Sequence, residues 1–128
     1  MKLLLDTHIV IWAIMDDPRL TNTAKALIDD NAGECFFSAA SVWEVAVKNS
    51  IPRRFLGIHA GDFTKESLQM GLRNMDVTTE HAEIIETLPY YHDDPFDRML
   101  IAQAMAEDCI LVTHDDKLPQ YGAFVRKV

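Results

Sequence analysis

The sequence is poor in basic residues and in cysteine, and each shortage excludes a class of protein. Twelve Lys and Arg residues stand against 20 Asp and Glu, so the 128 residues carry a formal net charge of −8. A broad basic surface for nucleic acid is therefore excluded, and any polyanion must be bound locally or through metal ions. Cys35 and Cys109 are the two cysteines, and each begins an apolar run. They exclude a disulfide framework and predict buried free thiols in a reducing compartment.

Long apolar runs, internal repeats and Gly/Ser linkers are also missing. No stretch approaches the roughly 20 apolar residues that cross a bilayer. The first five residues resemble the start of a signal peptide, but Asp6 and His8 interrupt the apolar region. Hydrophobic residues make up 48% and charged residues 25%, a balance typical of globular proteins. We therefore expect one domain over residues 1–128, located in the cytoplasm and without membrane contact.

Short apolar runs alternate with segments of helical spacing. Strands are predicted at 3–5, 35–37, 75–77, 109–113 and 123–125. Helices are predicted at 9–15 (entered through Thr7), 21–30, 63–73 and 80–88, from Ser38 or Ser41 to about Lys48, and from Asp94-Pro95 onward. Residues 49–62 are predicted to form a loop. This alternation indicates an α/β fold in which a short parallel sheet lies between two layers of helices.

Four carboxylates occupy positions that ordinary surface acids seldom take. Asp6 is the only acid among the first fifteen residues and directly follows a predicted strand. Glu44 is the only ionisable residue in 36–47, and Asp97 falls in the first turn of the Asp94-Pro95 helix. Asp115 lies just beyond the strand at 109–113. Because ligands of open parallel sheets bind beyond the carboxyl ends of the strands, we expect these four acids to converge.

Converging carboxylates imply a cation. Burying an unpaired carboxylate costs several kcal/mol, so a cluster of acids with few basic neighbours needs a counterion. Oxygen ligands without a Cys/His set favour Mg²⁺ or Mn²⁺ over zinc. Such an ion supports the hydrolysis of a phosphodiester and makes an acidic site attractive to a polyanion. The pattern therefore predicts metal-assisted phosphodiester hydrolysis.

Each acid also has a purely structural interpretation. Glu44 can pair with Lys48 one helical turn later, and Asp97 can stabilise the dipole of its helix. Two positions are also candidates for a cap or a turn, namely Asp6 and Asp115 or its neighbour Asp116. The four acids together, and none of them alone, carry the prediction of a metal site.

Four segments of the chain resemble the PIN domain and, more narrowly, the VapC-type ribonuclease toxins of toxin–antitoxin pairs. These segments are LLLDTH at 3–8, SAASVWEVAVK at 38–48, HDDPFDRMLIAQA at 92–104 and LVTHD at 111–115. They follow in the order and spacing of that family and cover essentially the whole chain. The resemblance implies a parallel sheet of order 3-2-1-4-5 and an endoribonuclease dependent on Mg²⁺ or Mn²⁺.

The resemblance also implies roles for particular residues. The acidic set of the family falls on Asp6, Glu44, Asp97 and Asp115. Asp6 and Asp97 are expected to bind the metal directly, and Glu44 and Asp115 to complete the site and orient the attacking water. Thr113 matches a small hydroxyl residue that holds a carboxylate or a phosphate, while Asp94 is expected to remain a helix cap. The expected partners are an RNA substrate, a cognate antitoxin and a second copy of the chain.

Two other functions compete with this interpretation. A Mg²⁺-binding receiver-type signalling module also places acids at strand ends, but it needs paired acids after its first strand and a Lys after its fifth. Asp6 stands alone, and no central strand ends in a phosphorylatable Asp. A metal-dependent phosphatase would need an Asp-x-Asp motif, which Asp6-Thr7-His8 lacks. The nuclease interpretation is therefore preferred.

Several further residues have more than one interpretation or no assigned role. Arg98 can neutralise a substrate phosphate or pair with Asp94. Trp12 and Trp43 are expected in the core or in a subunit interface rather than under RNA bases. The local basic cluster can contact an RNA backbone or simply face solvent, and it consists of Lys48, Arg53 and Arg54. Three histidines are assigned no role because they lack metal-binding spacing: His59, His81 and His92.

Overall fold

Strands and helices alternate along nearly the whole chain in the computed structural model, which describes residues 1–128. The strands are β1 (Leu3–Leu5), β2 (Cys35–Ser38), β3 (Arg73–Met75), β4 (Ile110–Thr113) and β5 (Val125–Lys127). The helices are α1 (Thr7–Ile14), α2 (Asn22–Asp30), α3 (Ala39–Asn49), α4 (Ala60–Gln69), α5 (Thr79–Ile85) and α6 (Pro95–Glu107), and a short 3₁₀ helix spans Leu118–Tyr121. None of these helices has the length and apolar character that crossing a membrane requires.

The five strands form one parallel sheet of order β3-β2-β1-β4-β5. The predicted α/β class and strand order are therefore confirmed. Strand β1 is central, and Leu4 lies opposite Phe36 of β2 on one side and Leu111 of β4 on the other. A receiver-type module has the order 2-1-3-4-5, so the strand order argues against that alternative.

The sheet lies between two hydrophobic clusters, which gives the predicted three layers. Leu3 and Leu5 pack with residues of α1, α2, α3 and α4 on one face, whereas Leu4 packs with α6 on the other. This division follows from the pleat of β1, because successive side chains of a strand point to opposite faces. Cys35 and Cys109 are buried and unpaired, as the sequence predicts.

Three helix starts beside the site have well-defined caps. Asp6, and not Thr7, is the N-cap of α1, so Thr7 is its first helical residue. Ser38 caps α3 by accepting a hydrogen bond from the backbone N–H of Ala40. Asp94 caps α6 with Pro95 in the first position, as its sequence indicates. These caps fix the directions in which α1, α3 and α6 leave the carboxyl end of the sheet.

The predicted boundaries are wrong mainly around the two edge strands. The helix predicted at 63–73 is Ala60–Gln69, and Gly71 follows it in the left-handed backbone region with φ +87°. The strand predicted at 75–77 is Arg73–Met75, and the strand predicted at 123–125 is Val125–Lys127. Edge strands carry exposed polar side chains, here Arg73, Asn74, Arg126 and Lys127, so an apolar run does not mark their extent.

Candidate metal centre

The four acids singled out in the sequence all line one cavity of about 500 Å³. Asp6 reaches it from the end of β1 and Asp115 from the chain just beyond β4, while Glu44 enters from α3 and Asp97 from the first turn of α6. We call this space the acidic cavity. Asp94 also lines it, so five carboxylates share the walls with two formally cationic side chains, Arg19 and Lys48.

Asp6 is held at the floor of the acidic cavity by two hydrogen bonds. Its Oδ2 accepts a bond of 2.6 Å from the hydroxyl of Thr113, and its Oδ1 accepts one of 2.6 Å from the backbone N–H of Thr7. Burial raises the pKa of this carboxyl above its usual value. The hydroxyl expected to hold a carboxylate or a phosphate thus holds a carboxylate.

Glu44 is almost fully enclosed, with 3% of its surface exposed. Its Oε1 lies 2.7 Å from the hydroxyl of Thr7, which is also 2.8 Å from the hydroxyl of Ser41. Its Oε2 accepts a bond of 2.6 Å from the ammonium group of Lys48. The helical pair with Lys48 is therefore present, and both of its members line the acidic cavity.

The Asp97 carboxyl, in the first turn of α6, is strongly perturbed by its surroundings. Burial raises its pKa to about 7, and the nearby charges of Asp6 and Asp94 contribute to the increase. Its Oδ2 lies 2.8 Å from Nε2 of His92. At neutral pH the Asp97 carboxyl is therefore poised between its two protonation states, and a cation placed beside it would favour the ionised one.

His92 is a residue of the site that the sequence does not reveal. His92, Asp94 and Asp97 can each bring one ligand atom to within 4.8 Å of the others. The His92 ring also approaches Asp115, with Nε2 at 3.8 Å from Oδ2. The signals in the sequence are its position two residues before the helix cap Asp94 and its place at the start of the 92–104 segment that resembles the PIN domain. Metal-binding spacing did not mark it, because residues in a loop and at a helix start have no fixed period.

Asp115, and not Asp116, faces the acidic cavity. Its backbone N–H donates to the hydroxyl of Thr113, and its Oδ1 accepts from the backbone N–H of Lys117. The Asp116 side chain is exposed and pairs with Lys127 on β5. The structure thereby distinguishes the two neighbouring acids that the sequence leaves open.

Arg98 takes neither of the roles considered for it. The side chain is buried, and its guanidinium donates to the backbone carbonyls of Ile85 and Pro89 at 3.1 Å each. It also donates to the hydroxyl of Tyr121 at 3.2 Å, and it forms no ion pair with Asp94. Arg98 therefore fastens the segment before α6 and lies outside the lining of the acidic cavity.

The residues of the basic cluster lie in different places, and so do the two tryptophans. Lys48 lines the acidic cavity, whereas Arg53 and Arg54 do not. Trp12 is buried in the core, which is one of the two places expected for it, and it also lines the cavity. Trp43 is 55% exposed, so the core is excluded for it and a subunit interface stays a prediction.

The donor set fits a divalent cation of the Mg²⁺ or Mn²⁺ type. Five carboxylates outnumber the three histidines of the lining, His8, His92 and His114, and His92 is the one whose ring nitrogen groups with carboxylates, those of Asp94 and Asp97. Sets dominated by carboxylate oxygens favour hard cations. Asp6 and Asp97 raise one another's energy when both are ionised, as the coulombic contribution of Asp6 to the pKa of Asp97 indicates. A bound cation would remove this repulsion.

The fold agrees with comparisons to known proteins. A sequence model of the PIN domain matches residues 3–123. The chain belongs to the PIN domain family. No curated protein matches the sequence of this PIN domain.

Solved structures share the fold of this PIN domain at low sequence identity. A chain of DNA-bound VapBC from Salmonella typhimurium has a TM-score of 0.70 and 15% identity, over 100% of this chain and 97% of that one. A chain of VapBC2 from Rickettsia felis, bound to a promoter DNA fragment, has a TM-score of 0.68 and 14% identity, over 99% and 98%. FitAcB from Neisseria gonorrhoeae has a TM-score of 0.60 and 19% identity, over 88% and 87%. These likenesses establish the fold.

Proposed function

We propose that this PIN domain is an endoribonuclease dependent on Mg²⁺ or Mn²⁺ and the toxin of a toxin–antitoxin pair. The observation that supports the proposal is the acidic cavity, which acids from four separate segments line at the carboxyl end of a 3-2-1-4-5 sheet. Burying these carboxylates near one another destabilises the folded chain, as the raised pKa values of Asp6 and Asp97 indicate. A purely structural role does not explain that loss of stability. Catalysis with a divalent cation does account for it.

Each acid has a proposed role in the site. Asp6 and Asp97 would hold the cation directly, and Glu44 and Asp115 would complete the site and orient the attacking water. When bound, the cation would polarise the phosphodiester and lower the pKa of that water. The same charge would make an acidic protein attractive to RNA at this one place.

Neighbouring side chains would keep these carboxylates oriented. The hydroxyl of Thr113 fixes Oδ2 of Asp6, and Thr7 and Lys48 each hold one oxygen of Glu44. Nε2 of His92 contacts Oδ2 of Asp97. Such outer contacts set the direction of metal ligands before substrate arrives, which limits the reorganisation needed during reaction.

An antitoxin is the proposed protein partner. Two of the similar structures are VapBC complexes, and the acidic cavity of this chain would suit a basic or Arg-bearing segment of such a partner. A segment of this kind would neutralise the carboxylates and exclude RNA from them. We also propose that the chain forms a homodimer.

The deciding experiment is cleavage of structured RNA by the purified protein with Mg²⁺ or Mn²⁺ and then with a chelator. Asp6→Asn and Asp97→Asn should each reduce the cleavage rate by more than about 100-fold. Loss of a side chain that only orients a metal ligand costs about 10- to 100-fold. Asp116→Asn is the matched control, because Asp116 is an exposed acid next to the site. Cleavage that survives both substitutions, or that persists in chelator, would contradict the proposal.

A further inference from the structure

A second cavity, of about 360 Å³, lies beside the acidic cavity. We call it the tyrosine cavity, and it is lined by Tyr90, Tyr91, His92, Asp93, Lys117 and Gln120. His92 lines both cavities, so the two spaces adjoin. The proposed hydrolysis uses none of the other five side chains.

The two tyrosines of this cavity are exposed but held in place. Tyr90 is 76% exposed and Tyr91 is 48% exposed. The ring of Tyr91 packs edge-on against that of Tyr121, with centroids 5.1 Å apart and planes at 66°. The ring of Tyr90 lies over the guanidinium of Arg98, 5.0 Å from its central carbon.

The supports under these rings are themselves fixed. Arg98 is buried and bonded to backbone carbonyls, and it also donates to the hydroxyl of Tyr121. The same hydroxyl accepts a hydrogen bond of 3.2 Å from the backbone N–H of His92. One partly buried network therefore supports both the aromatic rings and the backbone of His92, so the spacing between the two cavities is set before any ligand binds.

The remaining lining matches the other parts of a nucleotide. The ammonium group of Lys117 can contact a phosphate, which offsets the unfavourable charge of Asp93. The Asp93 carboxylate can accept from the amino group of a base, as carboxylates do from cytosine. The exposed aromatic rings offer stacking surface, which binds bases with little dependence on their identity.

From this arrangement we propose that the tyrosine cavity binds one unpaired nucleotide of the RNA, adjacent to the phosphodiester held in the acidic cavity. The inference rests on the proposed ribonuclease function. A base within a duplex is stacked and paired, so it cannot reach an aromatic side chain without leaving the helix. The substrate is therefore single-stranded at this position, with a base that carries an amino group preferred.

The test measures binding of fluorescein-labelled oligonucleotides by anisotropy, with Ca²⁺ in place of Mg²⁺. The probes are oligocytidylate, oligouridylate, a duplex RNA and a ribose-phosphate oligomer of the same length without bases. Tyr90→Leu combined with Tyr91→Leu should raise the dissociation constant for oligocytidylate at least about fivefold. It should leave the constant for the oligomer without bases unchanged, since that probe has nothing to stack.

Further variants separate the possible causes. Phe55→Leu is the matched control, because Phe55 is also 55% exposed but lines neither cavity. Asp93→Ala removes the acceptor and should remove the preference for oligocytidylate over oligouridylate. Equal thermal midpoints for all variants would exclude a loss of folding.

The results distinguish this inference from the function on which it rests. Unchanged affinity in the double tyrosine variant, equal weakening of the probe without bases, or no measurable binding by the unaltered chain would overturn the tyrosine cavity as a nucleotide site. In the first case a protein contact would explain the exposed tyrosines. If the tyrosine variants weaken oligocytidylate binding as expected but RNA is never hydrolysed, the nucleotide site stands and the ribonuclease proposal fails.

Discussion

At the scale of single residues, the raised pKa of Asp97 makes a prediction about stability. The folded-state pKa is about 7 and the ordinary value is 3.8, so ionisation penalises the folded state increasingly between these values. Asp97→Asn removes the penalty and should stabilise the metal-free protein at pH 8, by at most about 4 kcal/mol. The gain should shrink to a small fraction of this at pH 4, because the folded-state carboxyl is then protonated while the unfolded one is near the midpoint of its titration. Urea unfolding in chelator at both pH values measures it.

Asp116→Asn is the control for this effect. The Lys127 ion pair lowers the pKa of Asp116, so this substitution should give no stabilisation at pH 8. A metal-free Asp97→Asn protein less stable than the unaltered chain at pH 8 would mean that Asp97 is stabilised by its surroundings. The site would then resemble an ordinary ion-pair network instead of a place prepared for a cation.

Thr113 gives a second prediction at this scale. Its hydroxyl donates to Asp6 and accepts from the backbone N–H of Asp115, so one side chain orients acids from two parts of the site. Thr113→Val keeps the shape of the side chain but removes both bonds. It should lower the apparent affinity for the metal ion or the rate of RNA cleavage by about 10- to 100-fold. The rate measured against Mn²⁺ concentration tests this. Thr113→Ser should restore the rate, and failure of that rescue would assign the loss to packing.

At the scale of elements, Arg98 is expected to matter for stability more than its surface-like residue type suggests. Its guanidinium satisfies the carbonyls of Ile85 and Pro89 and thereby ties the segment before α6 to the helix. Arg98→Met removes both of these bonds, and a hydrogen bond that involves a charged group contributes about 1.5–3 kcal/mol. We expect a loss of at least about 2 kcal/mol in the free energy of unfolding, measured with urea. Arg126→Met on the exposed edge of β5 should change it little, and equal effects of the two substitutions would contradict this role.

The elements that position the acids are also those that the sequence predicts well. Strand β1 is an unbroken apolar run that stops at Asp6, and α6 has a cap followed by Pro95, so hydrophobicity and capping rules locate both. Edge strands β3 and β5 are displaced in the prediction because Arg73 and Lys127 carry no apolar signal. His92 and the buried position of Arg98 depend on contacts between distant segments, which no local pattern records.

At the scale of the whole molecule, the net charge of −8 shapes how copies of the chain can associate. Two such chains repel one another, so a homodimer must be held by apolar contact, and added salt should strengthen it by screening the repulsion. Trp43 on α3 is a candidate anchor for this contact, since this large aromatic side chain is 55% exposed. Its ring also packs edge-on against Phe96 of α6, with centroids 4.8 Å apart, which holds it in one orientation.

Trp43→Glu should therefore convert the proposed homodimer to a monomer. An aromatic anchor contributes about 2 kcal/mol or more to an interface, and a two-fold interface contains it twice, so the dimer should weaken by about 1,000-fold. Light scattering after size exclusion at low and high salt measures the mass. Leu68→Glu is the matched control, because Leu68 is 52% exposed but lies on α4. A Trp43→Glu protein that keeps the mass of a dimer would place the interface on another face of the sheet and its helices.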